Sequence, residues 1–312
     1  MKLSYKNIRT IRSSKMKLVS VSANDPCGCV FMIDDNKLVK IVKSNSNEVK
    51  ISNLIRQINN YDDHFIVFDE HSFEIDDDIE QQLIDVNCEV YMRGLRSNEK
   101  HLYRGYYMKY GGVTFNKYIS KKPSWTDIWS IIHQIIVSVN ILHENGIVHN
   151  DLKEDNIVIL KEGNLEPKVK IIDFGLSWLK SDNVVPKLNY TESYPLFLYV
   201  VTYCDILKIE REYGNIVNFF SPKYLDRNII NELCDKCDQM KYKEYCANVV
   251  VPNGYMIDLY VFVERVHNYL SYKQSYYFEL NKDMWSKFIR LRNMIINPYQ
   301  LPTMVEILEF LL

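Results

Sequence analysis

A short polar segment near the middle of the chain combines residue types that together could carry out phosphoryl transfer. It contains an acid, a lysine two positions later and an asparagine three positions after that, namely Asp151, Lys153 and Asn156. Phosphoryl transfer to a hydroxyl needs an acceptor for the hydroxyl proton, which Asp151 can supply. Lys153 can supply a cation near the migrating phosphate, and Asn156 an oxygen ligand for Mg²⁺. The spacing predicts that all three lie on one loop.

A second carboxylate follows downstream. The apolar run Val169–Ile172 predicts a buried strand, and Asp173-Phe174-Gly175 comes directly after it. A carboxylate at a strand end, freed by a glycine, is well placed to bridge Mg²⁺ to phosphate oxygens. Each string alone could be a turn with solvated charges. Their order along the chain favours one site, with Asn156 and Asp173 as the metal ligands.

The strings His149–Asn156 and Ile171–Gly175 resemble the catalytic loop and the metal-binding loop of eukaryotic-type protein kinases. The resemblance implies ATP and Mg²⁺ as cofactors. It also implies transfer of the γ-phosphoryl group to Ser or Thr hydroxyls of protein substrates, because the lysine at Lys153 is typical of Ser/Thr kinases. It further implies an α+β, bilobed protein-kinase-like fold, with a small β-rich N-lobe at 1–110 and a larger, mostly helical C-lobe at 111–312.

The same resemblance assigns phosphate-binding residues upstream. Leu38–Ile41 is similar to the strand whose lysine binds the α- and β-phosphates, which makes Lys40 that ligand and Glu48 its partner. Strand alternation places Lys40 on the face opposite Val39 and Ile41. An ordinary exposed strand lysine is the alternative interpretation.

Two further parts of an ATP site are implied. Gly28 and Val30 resemble the end of the Gly-rich loop, although Asn24–Pro26 stands where glycines are expected, and a plain β-turn is the alternative. The resemblance gives Met108 as the gatekeeper and the backbone of Lys109, Tyr110 and Gly111 as hydrogen-bond partners of adenine. Val158 would lie under the adenine base. Ordinary core positions are the alternative for each of them.

The chain departs from the family pattern in several places. Asn150 replaces the usual Arg that binds a phosphate on the activation loop, which predicts activity without such phosphorylation. No A-P-E string follows Gly175, and Leu301 stands where its Arg partner is expected. Residues from about 176 to 253 therefore form a long activation segment or an insertion. Asp258 is expected to brace the catalytic-loop backbone. The shortened kinase motifs look similar to those in kinases of large DNA viruses, including poxviruses.

The elements that must position these residues follow from periodicity. Alternating or apolar runs predict the strands Lys17–Val21, Cys29–Ile33, Lys37–Val42, Tyr103–Tyr110, Ile147–Val148 and Ile157–Leu160. Apolar residues at helical spacing predict helices at Asn47–Ile58, with Asn47 as the cap, and at Trp125–Glu144, which ends at Asn145-Gly146. The acidic stretch Glu74–Glu80 is typical of a solvated loop or a helix start.

The bulk composition excludes several classes of protein. A net charge of −2 indicates no nucleic-acid partner, and no apolar run is long enough to predict a membrane span. The 7 cysteines favour reduced thiols in a cytoplasmic setting, which would be host cytoplasm or a virion if the chain is viral. Cys234 and Cys237 have zinc-ligand spacing, but a four-cysteine site with Cys204 and Cys246 lacks a second paired motif. The oligomeric state is not indicated.

Three functions remain open from the sequence. The first is an active Ser/Thr protein kinase, supported by the complete set of Lys40, Asp151, Lys153, Asn156 and Asp173. The second is a pseudokinase that acts as a binding or regulatory protein, supported by the weak Gly-rich loop. The third is a small-molecule kinase of the same fold, which often lacks A-P-E as well.

Overall fold

The computed structural model describes residues 19–22, 28–34, 37–182, 248, 250–272, 277, 281–297 and 301–312. The chain divides into two compact units. Unit 1 contains residues 1–112 together with 172–175, and unit 2 contains 113–171 and 176–312. The predicted lobe boundary at 110/111 stays a prediction.

Unit 1 is built on a five-stranded antiparallel sheet with the order β1-β2-β3-β5-β4. Its strands are β1 (Val19–Ser22), β2 (Cys29–Asp34), β3 (Lys37–Lys43), β4 (Ser72–Glu74) and β5 (Tyr103–Lys109). Its helices are α1 (Asn47–Ile55), α2 (Tyr61–His64), α3 (Asp77–Asp85) and α4 (Glu89–Arg96).

Helices α3 and α4, which connect β4 to β5, contribute to a core that includes one face of this sheet. Strand residues that alternate along β2, β3 and β5 pack there with Ile79, Leu83 and Tyr91. Gly105 in β5 is needed for close packing, because a Cβ at this position would collide with the ring of Phe73. Burial of these apolar side chains is the main favourable term that holds the helices in place.

A disulfide between Cys29 in β2 and Cys88 just before α4 joins the sheet to this helix pair. Both cysteines are fully buried in the same apolar core. The prediction of reduced thiols is therefore wrong for these two residues. They are 59 residues apart in sequence, and only the packing of α4 near β2 brings their Cα atoms within 5.9 Å.

Unit 2 is mainly helical. Its helices are α5 (Phe115–Ile119), α6 (Trp125–Glu144), α7 (Gly254–Tyr272), α8 (Lys282–Ile296) and α9 (Met304–Leu311). Two small antiparallel sheets, β10-β7 and β6-β8-β9, complete it. Their strands are β6 (Val113–Thr114), β7 (Ile147–Val148), β8 (Ile157–Leu160), β9 (Lys168–Ile171) and β10 (Trp178–Leu179).

Most predicted elements are present, and the α+β class is confirmed. Helix α6 has the predicted bounds, because Ser124 caps its start and the chain turns at Gly146 with a φ of 73°. The cap prediction for α1 is wrong. Ser46 holds the N-cap position, and the Asn47 side chain instead donates to the Gly175 carbonyl oxygen.

Several predictions fall on positions outside the described residues. They concern Asn24–Pro26 and all four candidate zinc cysteines, Cys204, Cys234, Cys237 and Cys246. Most of the segment from about 176 to 253 also lies outside them. Among the helices that are described, none is long and apolar enough to cross a membrane.

Candidate active site

In unit 2, the three predicted loop residues lie together between β7 and β8. The Lys153 ammonium is 2.9 Å from Asp151 Oδ2, and the Asn156 side-chain Nδ2 donates to the same oxygen at 2.9 Å. Asn156 Nδ2 also donates to the Asp151 backbone carbonyl at 2.8 Å. A carboxylate that accepts charge-assisted bonds is held in a defined orientation. The loop therefore presents a positioned acid beside a cation.

The backbone of this loop is fixed by Asp258 of helix α7. Its Oδ2 accepts the His149 N–H at 2.9 Å, and its Oδ1 accepts the Asn150 N–H at 2.7 Å. Burial raises the pKa of Asp258 to about 6, although the two backbone N–H groups favour its charged form. The predicted brace is thus present. His149 is fully buried, and its Nδ1 accepts the Asp151 N–H at 3.3 Å. This contact fits a packing role for His149.

In unit 1, Lys40 lies between two carboxylates. Its ammonium is 2.9 Å from Glu48 Oε2 in α1 and 3.0 Å from Asp173 Oδ1. Lys40 is 3% exposed, so its charge is almost fully removed from water. Burial alone would lower the pKa of Lys40, but Glu48 and Asp173 outweigh this effect and raise it. The lysine therefore stays charged, and the alternative of an exposed strand lysine is wrong.

The absence of a side chain at Gly28 leaves room for Lys40 and its two ion pairs. Gly28 lies so close to β3 that an added Cβ would be 2.8 Å from Lys40 Cε and 2.8 Å from Val42 Cγ1. Val30 pairs directly with Lys40 across the two strands. Directly paired residues point to the same face of a sheet, so Val30 and Lys40 share one face. A side chain at position 28 would displace the Lys40 ammonium.

The predicted adenine-contacting residues occupy ordinary positions within their units. Met108 is buried near the end of β5, and Tyr110 and Gly111 follow that strand, where its pairing with β3 has ended. Lys109 is the last residue of β5 and lies 3.5 Å from Asp62. In unit 2, Val158 is buried in β8. The role of each in nucleotide binding stays a prediction.

The donor types at Asn156 and Asp173 fit a hard divalent cation. Among the described residues, the Asn156 side chain donates two hydrogen bonds from Nδ2, and its amide oxygen is of the type that binds Mg²⁺. Asp173 is held at a φ of 64°, a left-handed conformation that is uncommon outside glycine. The sequence motif predicted the residue but could not show this backbone conformation. Such strain is frequent at ligand sites.

Sequence reasoning missed some features that shape these sites. The hydrogen bond from Ser177 Oγ to the His149 carbonyl oxygen, at 3.2 Å, has no sequence signal. The edge-on contact between Phe65 and Phe174, with ring centroids 6.0 Å apart, could not be predicted either. Both depend on residues that are distant along the chain.

Comparison with known proteins agrees with this geometry. Residues 88–195 match the family model of the protein kinase domain. The matched region includes the loop at Asp151 and the carboxylate at Asp173, but not Lys40 or Glu48.

Curated relatives match over short stretches. The chain is 37% identical over 71 residues to "Probable serine/threonine-protein kinase fnkE" of Dictyostelium discoideum, covering 22% of this chain and 5% of that protein. It is 41% identical over 68 residues to "Calcium-dependent protein kinase 4" of Plasmodium falciparum, covering 22% and 13%. It is 35% identical over 109 residues to "Ovarian-specific serine/threonine-protein kinase Lok" of Drosophila melanogaster, covering 34% and 23%.

The fold and the comparisons together support one class of protein. The antiparallel N-terminal sheet, the helical C-terminal region and the matched domain are those of a protein-kinase-like fold. The relatives support a eukaryotic-type protein kinase, and a kinase domain implies ATP and a divalent metal in general. The alignments cover less than a quarter of each of these relatives, so the activity of the whole protein is a matter for proposal.

Proposed function

We propose that this chain is an ATP-dependent Ser/Thr protein kinase that transfers the γ-phosphoryl group to hydroxyls of protein substrates. The observation that carries the proposal is the arrangement at Asp151. This carboxylate lies on a loop fixed by Asp258, with the Lys153 ammonium and the Asn156 amide on the same oxygen. The likeness to kinases of poxviruses and other large DNA viruses, and a cytoplasmic or virion location, stay predictions.

In the proposed reaction, the bond between the γ-phosphorus and the β,γ-bridging oxygen breaks, and a bond to the substrate hydroxyl oxygen forms. Asp151 orients that hydroxyl and accepts its proton, while ADP leaves with the bridging oxygen. Lys153 moves from Asp151 to the migrating phosphoryl group, whose negative charge it offsets. These steps need positioning more than covalent chemistry, because the transition state is loose.

The nucleotide-binding roles are those that the resemblance to protein kinases implies. Lys40, kept charged by Glu48, binds the α- and β-phosphates. Gly28, Val30, Met108 and Val158 line the nucleotide, and the backbone of Lys109, Tyr110 and Gly111 bonds adenine. Asn156 and Asp173 would hold Mg²⁺, which neutralises phosphate charge when bound. Lys40 then has a phosphate partner in addition to its carboxylates.

The direct test is incubation of the purified chain with labelled ATP, Mg²⁺ and generic acceptor proteins, followed by analysis of the labelled amino acids. Label on phosphoserine or phosphothreonine is expected, and the Asp151→Asn variant should produce almost none. Binding of ATP without transfer to any acceptor would instead identify a pseudokinase. Transfer only to small molecules would identify the third candidate function.

A further inference from the structure

The Cys29–Cys88 disulfide lies one residue from the part of unit 1 that packs against Lys40. Cys29 is the first residue of β2 and pairs with Ile41 of β3. The preceding residue, Gly28, is so close to β3 that an added Cβ would be 2.8 Å from Lys40 Cε. The cross-link therefore acts on the segment of chain whose position decides how much room the Lys40 side chain has.

The other end of the cross-link is the joint between α3 and α4. Cys88 holds the N-cap position of α4, and its N–H donates to the Leu83 carbonyl oxygen of α3 at 2.9 Å. Helix α4 has a second attachment to the sheet, because Tyr91 meets the Tyr103 ring of β5 edge-on, with ring centroids 5.7 Å apart. Gly94 of α4 also packs closely on the Tyr103 ring. The helix pair should therefore stay on the sheet without the disulfide.

The core around the two sulfurs fits both oxidation states. Cys29 and Cys88 are each 0% exposed, and they belong to a cluster of apolar and aromatic side chains that includes Phe31 and Leu83. Reduced cysteines behave as small apolar residues with weak S–H donors, so two thiols can stay buried at these positions. Reduction therefore removes a covalent restraint between β2 and α4 without placing a charge in the core.

We propose that the Cys29–Cys88 disulfide is a reversible redox switch that sets the affinity of this chain for nucleotide. In the oxidised state it holds the start of β2 against the core and keeps Gly28 beside Lys40. In the reduced state the start of β2 loses this restraint, the packing of Gly28 on Lys40 loosens, and nucleotide binds more weakly. The inference rests on the proposed function, because that function assigns Lys40 to phosphate binding.

The switch operates by thiol–disulfide exchange with a dithiol reductant. One thiolate of the reductant attacks a sulfur of the disulfide, the bond between the two cysteine sulfurs breaks, and the other cysteine leaves as a thiolate that takes up a proton. The second thiol of the reductant then loses its proton and displaces the first cysteine, which is protonated in turn. Two electrons pass from the reductant to the cysteines, and the reductant becomes a disulfide. Because both sulfurs are buried, the first attack requires local opening of unit 1.

The first test compares the oxidised and the reduced wild-type chain. Mass spectrometry of alkylated peptides should identify the Cys29–Cys88 link, and dithiothreitol should remove it while the circular dichroism spectrum stays that of a folded protein. We expect the Kd for ADP with Mg²⁺, measured by calorimetry, to be about tenfold higher after reduction, a coupling of ordinary size. Equal Kd values in the two states would overturn the proposal. So would unfolding on reduction, or a chain in which mild oxidation never forms this link.

Two variants assign the effect to this pair of cysteines. Cys29→Ala/Cys88→Ala should bind ADP as weakly as the reduced wild-type chain and should not respond to dithiothreitol. Cys27→Ala is the matched control, because it removes a cysteine only two positions from Cys29, and it should keep the full response. Loss of the response in Cys27→Ala, or its persistence in the double variant, would show that other thiols carry the effect and would overturn the assignment.

Thermodynamic linkage gives a readout that does not depend on phosphoryl transfer. If reduction weakens ADP binding about tenfold, saturating ADP must favour the disulfide by the same factor. For this two-electron couple, saturating ADP should then lower the reduction potential of Cys29–Cys88 by about 30 mV. A potential that does not change would overturn the switch. If the chain binds ADP but transfers no phosphate, the proposed kinase activity fails, while these binding measurements still decide the inference.

Discussion

Around Lys40 the charged groups come from three segments of the chain, whereas around Asp151 they come from one loop. Lys40 and Asp173 are 133 residues apart, while Lys153 and Asn156 are 2 and 5 residues from Asp151. The first cluster is an ion-pair network in which a buried lysine depends on two carboxylates. The second is a tight loop whose backbone depends on Asp258.

The clusters around Lys40 and Asp151 should therefore respond differently to side-chain substitution. Replacement of Lys40 would leave the buried Glu48 without its cation, which is costly, so this change should affect folding as well as function. Lys153 is 30% exposed, so loss of its ion pair with Asp151 should have little effect on folding. Variants of the loop should therefore separate catalysis from stability, whereas replacement of Lys40 should not.

The largest effect is expected for Asp173→Ala. The change removes a proposed metal ligand and one of the two carboxylates beside Lys40, so transfer should be abolished. The fold should be kept, because Glu48 remains and the Asp173 side chain is 24% exposed. The measurement is the transfer rate together with the circular dichroism spectrum. Turnover similar to wild type would refute the metal-ligand assignment.

Asp151→Asn should lower kcat by a factor of 10² or more, which is about 2.7 kcal/mol of transition-state stabilisation. The variant keeps the shape of the side chain but removes the charge that accepts the proton. Affinity for ATP, measured by calorimetry, should change little, because other groups hold the nucleotide. Asp155→Ala is the control, since Asp155 is an exposed acid on the same loop, and its kcat should stay near wild type. An unchanged kcat in Asp151→Asn would disprove the mechanism.

A pair of lysine variants tests the comparison of the two clusters directly. Lys40→Met leaves Glu48 and Asp173 close together without a cation, and we expect a loss of about 3 kcal/mol or more in the free energy of unfolding. Lys153→Met breaks an ion pair whose lysine is 30% exposed, and the loss should be about 1 kcal/mol or less. Urea denaturation measures both. Similar losses in the two variants would contradict the distinction drawn here.

The last prediction concerns pH. Folding raises the pKa of Asp258 from 3.8 to about 6, so the folded state binds this proton more tightly than the unfolded state. Its contribution to stability is therefore complete below pH 3.8 and is lost as the pH rises to about 6. The free energy of unfolding of wild type minus that of Asp258→Asn should fall across this range and be flat above it. A difference that rises with pH would show that the pKa is lowered instead.

The sequence predicted much of the loop cluster, and the reason is its short span. Asp151, Lys153 and Asn156 must lie near one another because few bonds separate them, and helical periodicity alone placed α6 before them. Strand alternation predicted that Lys40 lies on the face opposite Val39 and Ile41, and both of these residues do pack in the core. The role of Lys40 in phosphate binding stays a prediction. The choice of Glu48 as its partner was based on resemblance, and the ion pair is present.

The predictions that failed involve contacts across the tertiary structure. The acidic stretch Glu74–Glu80 was interpreted as a solvated loop or a helix start, and α3 does begin in it, at Asp77. Helix α4 was not predicted, because its apolar residues pack with strands that are distant in sequence. The disulfide was missed for the same reason, because cysteine counts carry no information about which residues meet. Asn47 was assigned as a cap, but it bonds Gly175. Local propensity cannot reveal a partner that is more than 100 residues away.

The sequence by itself determined the residue types that phosphoryl transfer needs, their order, and the strands and helices that carry them. Periodicity and short spacing act over a few residues, so both can be read directly from the chain. The tertiary structure decided which distant groups meet: Asp173 with Lys40, Asp258 with the loop backbone, Asn150 with Leu176, and Cys29 with Cys88. Burial of the apolar core brings these segments together, and their geometry decides which polar groups end up paired.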